Sequence, residues 1–323
     1  MVVSKDARDG CENATPDVTQ MPRYAIMRGM NFADRLAHAS RLKESVVVLG
    51  IDPQLDAVGA PGIPHGYTLA RFCCEIVEAC AGSAIAVKPQ LAFYEARGLE
   101  GMRAFCEVVK TARRLGLITI ADAKRGDIGT TSAAYAEAFL GDGDFACDAV
   151  TVNPYQGSDA LMPFIAKVKN GRGVFVLVKT SNPSSGEFQD LNAPSRPIWE
   201  SVAARVNGWG GDFIGPSGLS SVGAVVGATY PVEARRAREL MPSAMILVPG
   251  YGVQGGTATD GVASARGDGT GFIVNASRSL MYAYQKNVGA KPVEAAAEYA
   301  EAMRKEINAA LAAHRGQMLA RTA

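Results

Sequence analysis

The stretch "GLITIADAKRGDIGTT" (residues 116–131) decides the reading of this chain. Its first half is a short, β-branched and near-continuously apolar run, as a parallel strand covered on both faces requires. Its second half sets Asp122, Lys124, Arg125 and Asp127 within six residues, where a core should be closing. Side chains two apart on a strand point the same way. If Ile118 and Ile120 face an interior, Asp122 and Lys124 face it too, and Ala123 faces outward. Gly126 frees the backbone to turn and carries Asp127 onto the next loop. The pattern predicts a lysine flanked by two carboxylates at the end of a buried strand.

The same unit recurs on either side. Further runs are "VVVLGID" (46–52), "AIAVKP" (84–89), "CDAVTVNP" (147–154), "GVFVLVKT" (173–180), "VGAVVGAT" (222–229), "AMILVPG" (244–250) and "GFIVNAS" (271–277). Between them lie segments such as "LEGMRAFCEVVKTARRLG", with apolar residues at three- and four-residue spacing, as amphipathic helices require. The last of these, "PVEAAAEYAEAMRKEINAALAAH" (292–314), reads as one long helix. Eight strand–helix units predict a (β/α)₈ TIM barrel in one domain, residues 30–323, preceded by a polar, aperiodic tail over 1–29. A doubly wound open sheet is the alternative, but "GIDPQL" stands where that fold usually carries a G-x-G-x-x-G turn. Asp52, Lys88, Asp122, Lys124, Asn153, Lys179, Thr180 and Thr229 all end strands, and in a barrel those ends ring one mouth, where active sites of this fold sit.

Composition narrows the chemistry. In 323 residues, 48% are hydrophobic and 20% charged, an ordinary balance for a globular chain, and the net charge of +1 favours neither nucleic acid nor a membrane surface. No apolar run reaches the length of a membrane span, and the N-terminus has no apolar core of a secretory signal. Six cysteines without a C-x-x-C pair read as free thiols in a reducing, cytoplasmic compartment. Three histidines, His38, His65 and His314, are scattered, which disfavours a His-based triad or a zinc site. Carboxylates, lysines or a cofactor must carry the chemistry.

Two readings of "DAKRGD" remain open at this level. It closes the barrel end as a salt-bridge network, or its carboxylates hold Lys124 protonated and aimed as a proton donor to a carbanion. A buried charge cluster is weak evidence for stability. A carboxylate beside a substrate anion favours a transition state in which that charge migrates away. The loops after the seventh and eighth runs, "PGYGVQGG" (249–256) and "NASRSL" (275–280), lie where barrels often bind phosphate, and Arg278 can clamp one bidentately.

D-x-K-x-x-D-I in "DAKRGDIG" (122–129) resembles the signature of the orotidine 5′-phosphate decarboxylase family. "LGIDP" (49–53), "VKPQLAFYE" (87–95), "VNPYQG" (152–157), "VKTSNPSSGEFQD" (178–190), "PGYGVQGG" and "NASRSL" follow in order and resemble the longer bacterial (type 2) subfamily. The resemblance covers about residues 30–310. It implies decarboxylation of orotidine monophosphate to uridine monophosphate in pyrimidine nucleotide synthesis, with no metal and no organic cofactor. It implies that Lys124 protonates C6 of the pyrimidine, that Asp122 sits beside the substrate carboxylate, and that Asp52 and Lys88 contact the ribose hydroxyls and extend the Lys–Asp chain. Ser181 would bond the pyrimidine edge, and Gln254 and Arg278 the phosphate. Asp127 and Thr131 would reach into a neighbouring subunit's site, so the resemblance implies a homodimer with shared sites. The long segment after the fifth run would act as a lid over the base. A magnesium-dependent sugar-phosphate lyase of the same barrel type, or a non-catalytic phosphate-binding barrel, are the competing expectations; Lys88, in place of a carboxylate at the second strand's end, opposes a metal there.

Overall fold

In the computed structural model, residues 29–54, 62–252, 254–286 and 289–322 are described, with the side chains of 317–322 excepted. The expected tail therefore lies, except for Gly29, outside the described residues, as does Cys11. Eight parallel strands, β1 (Val47–Ile51), β2 (Ala86–Pro89), β3 (Ile118–Arg125), β4 (Ala149–Val152), β5 (Gly173–Lys179), β6 (Ser220–Val226), β7 (Ala244–Val248) and β8 (Phe272–Ala276), follow one another around a closed barrel. β8 closes onto β1 through Val47↔Val274 and Leu49↔Ala276. The fold is the expected (β/α)₈ barrel, and its strands lie within or beside the expected runs.

Helices form where caps and apolar spacing agree. Thr68 accepts from the Arg71 amide ahead of the helix Leu69–Cys80, whose Leu69, Phe72, Cys73, Ile76, Val77 and Cys80 are buried at helical spacing. The C-terminal helix runs over Pro292–Thr322, past the expected end, because one glycine, Gly316, weakens a helix without ending it. Side chains alternate between two core layers. One lies between barrel and helices, and includes Val47, Leu49, Val87, Val174 and Val274. The other fills the lumen, with Val48, Ala86, Ile118, Ile120, Phe175, Met245, Leu247 and Ile273.

The helix Phe32–Lys43 plugs the N-terminal end of that lumen. Asn31 caps it by accepting from the Asp34 amide at 2.8 Å. Phe32 is 1% exposed and meets Phe175 edge-on, with ring centroids 5.7 Å apart. The close approach requires Gly173, because a Cβ there would overlap the Phe32 ring. Two ladder irregularities matter for the other end. The β3–β4 register shifts between Ala121 and Arg125, and the β5–β6 register shifts between Leu177 and Lys179.

Candidate active site

The C-terminal ends of the strands enclose a cavity of about 500 Å³. Asp52, Lys88, Asp122, Lys124, Ser181, Gln254 and Arg278 line it together. At its floor sits Asp122, 6% exposed and fully engaged. Its Oδ2 accepts from Lys88 Nζ at 2.5 Å and from Gln90 Nε2 at 3.1 Å. Its Oδ1 accepts from Lys124 Nζ at 2.6 Å and Thr151 Oγ1 at 2.9 Å. Four donors around one carboxylate hold it in one orientation and keep it ionised. Burial opposes that charge, but Lys88 and then Lys124 outweigh it and hold the carboxyl below the usual carboxylate range.

Lys88 lies between two acids. Burial pulls its pKa down, and Asp122 and Asp52 more than offset this, leaving it raised. Asp52 moves the other way, raised mainly by burial although Lys88 opposes the rise. Asp52 Oδ1 is buried without a protein partner, as is Oδ1 of Asn275, which lines the same cavity. Two acceptors with no donor in the protein, in a polar cavity, suit hydroxyl groups of a bound molecule.

Lys124 does not follow simple strand alternation. Its backbone is left-handed, with φ of 48°. Such a conformation costs a non-glycine residue about 1–3 kcal/mol and persists only where the surroundings impose it. Here the Thr151 hydroxyl accepts the Lys124 amide at 3.0 Å, within the β3–β4 irregularity. The side chain consequently rises from the strand end, 43% exposed, with its ammonium over Asp122 and facing the cavity. Arg125 leaves the site: it pairs with Glu95 and lies over the rings of Tyr135 and Phe139.

The expected flanking of Lys124 by two carboxylates within one chain is corrected. Asp127 accepts from the Ile128 amide at 2.8 Å and does not line the cavity, because the turn at Gly126 carries it away from the lysine. Thr131 lies on the exposed first turn of the helix Gly129–Leu140, also outside the cavity. The remaining wall comes from two loops. Gly250, at φ 100°, brings the loop after β7 against the loop after β5: a Cβ there would lie 3.1 Å from Gln254 Oε1 and 3.3 Å from the Ser181 Cβ. Arg278 lines the same cavity, exposed, and makes no ion pair among the described residues. A cationic fork, an amide side chain and glycine-rich backbone therefore line the same cavity as the Lys–Asp chain.

The family model for orotidine 5′-phosphate decarboxylase / HUMPS matches residues 46–299. The chain belongs to the orotidine 5′-phosphate decarboxylase / HUMPS family. Orotidine 5′-phosphate decarboxylase of Rhodopirellula baltica is 42% identical over 274 residues, spanning 80% of this chain and 90% of that one. Among solved structures, OMP decarboxylase of Leishmania donovani superposes with a TM-score of 0.69 at 34% identity, over 87% of this chain and 99% of that one. UMP synthase of Leishmania donovani superposes at 0.71 with 35% identity over 86% of this chain, which spans only 57% of that longer protein.

Within this family frame, four site residues carried no expectation from the sequence: Gln90, Thr151, Asn275 and Ser277. Gln90 and Thr151 bond Asp122, and Asn275 Nδ2 donates to Ser277 Oγ at 3.2 Å. Period-two spacing marks three of them: Gln90 follows Lys88, Thr151 follows Ala149 and Asn275 follows Ile273, all toward the lumen. Lys179 is the reverse case. It ends a strand as expected but lies outside the cavity that Thr180 and Ser181 line. As for the metal-dependent alternative, the described residues hold no group of three His, Cys, Asp or Glu able to bind a metal ion, and Asp122 Oδ2 is taken by the Lys88 ammonium.

Of the cysteines among the described residues, five are free; burial pushes Cys73, Cys80 and Cys147 up to about 12, and Cys74 and Cys106 are half-buried. Burial raises Cys74 and Cys106 as well, which keeps all five thiols protonated near neutral pH. No described helix is long and apolar enough to cross a membrane.

Proposed function

We infer that this chain is an orotidine 5′-phosphate decarboxylase, releasing carbon dioxide from orotidine monophosphate to give uridine monophosphate. Beyond family membership, the observation that carries the reading is the Lys124 ammonium, held 2.6 Å from Asp122 and open to a cavity of nucleotide size. In the proposed reaction the C6–carboxylate bond breaks and its electron pair stays on C6. Lys124 Nζ delivers a proton to that carbon, and water later restores the proton to the amine. Asp122, which cannot be neutralised near pH 7, stands beside the substrate carboxylate and disfavours the charge that is about to leave. Lys88 stays protonated between Asp122 and Asp52, and orients both. Asp52 and Asn275 accept ribose hydroxyls. Ser181 bonds the base, and Gln254 and Arg278 hold the phosphate.

The barrier reduction asked of such a site is large, of order 20 kcal/mol. One ammonium does not supply it. Donors and charges fixed before the substrate arrives stabilise the carbanion without reorganising. Binding at the distant phosphate contributes to closing loops over the base.

The finer features are proposed on the same footing. The chain acts in pyrimidine nucleotide synthesis in the cytoplasm, as a type 2 bacterial enzyme with the long "TSNPSSGEFQD" loop. It acts as a homodimer in which Asp127 and Thr131 complete the partner's site. Ile128, which lies between them in sequence, keeps an exposed apolar side chain (54%), and this supports that reading. Release of carbon dioxide from orotidine monophosphate tests the activity, and wild-type protein that releases none overturns it. Mixing Lys124→Ala and Asp127→Ala subunits tests the shared site. Hybrid dimers regain one intact site if the site is shared, and gain nothing if each chain is self-sufficient.

A further inference from the structure

The loop after β5 gives Thr180, Ser181, Asn182 and Gln189 to the cavity wall. Lys179, the last residue of that strand, does not reach the cavity. The register slip between Leu177 and Lys179 turns it out of the lumen, and it is fully buried at 0% exposure. Its ammonium donates to Asp190 Oδ1 at 2.6 Å and lies 4.5 Å from the centre of the Tyr230 ring. An apolar side chain would fill this space without desolvating an ammonium, a penalty of several kcal/mol. What the charge adds is a tie between the strand end and the far end of its loop.

A second tie runs beside it. The Thr180 amide donates to Gln189 Oε1 at 3.0 Å, and Gln189 Nε2 returns a bond to Thr180 Oγ1 at 2.8 Å. Pairs 179–190 and 180–189 thus close the base of the loop as two adjacent rungs. The loop after β6 supports it from beneath. Thr229 Oγ1 donates to the Ser181 carbonyl at 3.3 Å, and the Tyr230 hydroxyl donates to the Asn182 carbonyl at 3.3 Å while accepting from Ser185 Oγ at 3.1 Å. The backbone that presents Ser181 and Asn182 to the cavity is therefore held from both sides. Asp190 is 50% exposed, so water reaches this tie from one side and the loop can release.

We propose that Lys179, Asp190 and Tyr230 form a latch that sets the β5 loop for the base of the bound nucleotide. The three are positioning residues, acting through Ser181 and Asn182. The proposal rests on the reading of this cavity as the nucleotide site. Without the Asp190 charge the ammonium over Tyr230 is buried unpaired, the loop base opens, and ordering of the loop falls on substrate binding. The loss must then appear in recognition of the base and leave the phosphate edge intact.

The test uses the full chain with Asp190→Asn, Asp190→Glu and Gln189→Ala. The readouts are kcat/KM for orotidine monophosphate, and inhibition by uridine monophosphate and by ribose 5-phosphate, which lacks the base. For Asp190→Asn we expect kcat/KM to fall roughly ten- to hundredfold, weaker inhibition by uridine monophosphate, and unchanged inhibition by ribose 5-phosphate. Asp190→Glu should restore most of the loss, and Gln189→Ala should give the same pattern, smaller. Two results overturn the latch: wild-type behaviour in both Asp190→Asn and Gln189→Ala, or equal weakening toward both inhibitors, which marks a general loosening. If Asp190→Asn does not fold, Gln189→Ala carries the same pair of outcomes. Wild-type protein that releases no carbon dioxide overturns the activity instead, and direct calorimetric binding of uridine monophosphate and ribose 5-phosphate to the same variants then decides on the latch.

Discussion

Asp122 and Asp148 lie at opposite ends of one barrel, each buried and each bound to a cation. Arg35 Nη1 donates to Asp148 Oδ1 at 2.6 Å, while the Thr119 amide and hydroxyl each donate to Oδ2 at 2.8 Å. Burial would raise the Asp148 pKa, and Arg35 outweighs it, so this carboxyl too stays below its ordinary value. A cavity of about 760 Å³ opens beside it, larger than the one at Asp122. Neither buried charge nor cavity size separates the two ends. The cation does. A guanidinium does not give up its proton, and the second arm of Arg35 is spent on the Gly171 carbonyl at 2.8 Å. At the other end the partners are amines, and one of them faces open space. Asp148 fastens the plugging helix Phe32–Lys43 to the barrel; Asp122 holds an amine that faces the cavity, the proton donor of the proposed reaction.

The comparison breaks most sharply at Lys124. Replacing it with alanine should lower kcat at least about ten-thousandfold and leave the melting temperature near that of the wild type, since the side chain is 43% exposed. Steady-state turnover beside a thermal melt checks both halves. The opposite outcome is expected for Asp148→Asn: stability falls by about 3 kcal/mol, because the partly buried Arg35 loses its ion-pair partner, while turnover of the folded fraction is retained. Denaturant titration with an activity assay decides it. Arg278→Ala comes next, with a loss of about 2 kcal/mol in binding phosphorylated ligands, read as a raised KM. Unchanged affinity would remove Arg278 from the phosphate edge.

The smallest effect is on pH. Both aspartates are depressed in the folded state, so each contributes stability that is fully present above its unfolded value near 3.8 and is lost as pH falls through the lower folded value. Between about pH 5 and about pH 3 the wild type should lose stability more steeply than Asp148→Asn, which has no such group to titrate. Parallel slopes would mean that Asp148 is not held below its ordinary range.

Much of this was legible in the chain itself. Eight β-branched runs, all but the seventh ending in polar residues, mark both the barrel and its polar mouth. Lys124 stood out because charge followed an apolar run directly. What spacing does not carry is the local backbone. The left-handed turn at Lys124 depends on Thr151, a neighbour 27 residues away. The outward turn of Lys179 depends on a register slip against β6. Asp127 is three residues from Lys124 in sequence, yet the turn at Gly126 takes it to its own amide neighbour. Proximity along the chain identified the charges, and pairing across strands decided their partners.

The Phe32 seal has one further consequence. With the lumen packed below Asp122 and closed by that ring, the chamber is a cul-de-sac. In the proposed reading, nucleotide enters and departs by the mouth at the strand C-termini, and the gas formed at the cavity floor leaves past the ring it came from. The loops around that rim would then set the sequence in which the two products leave.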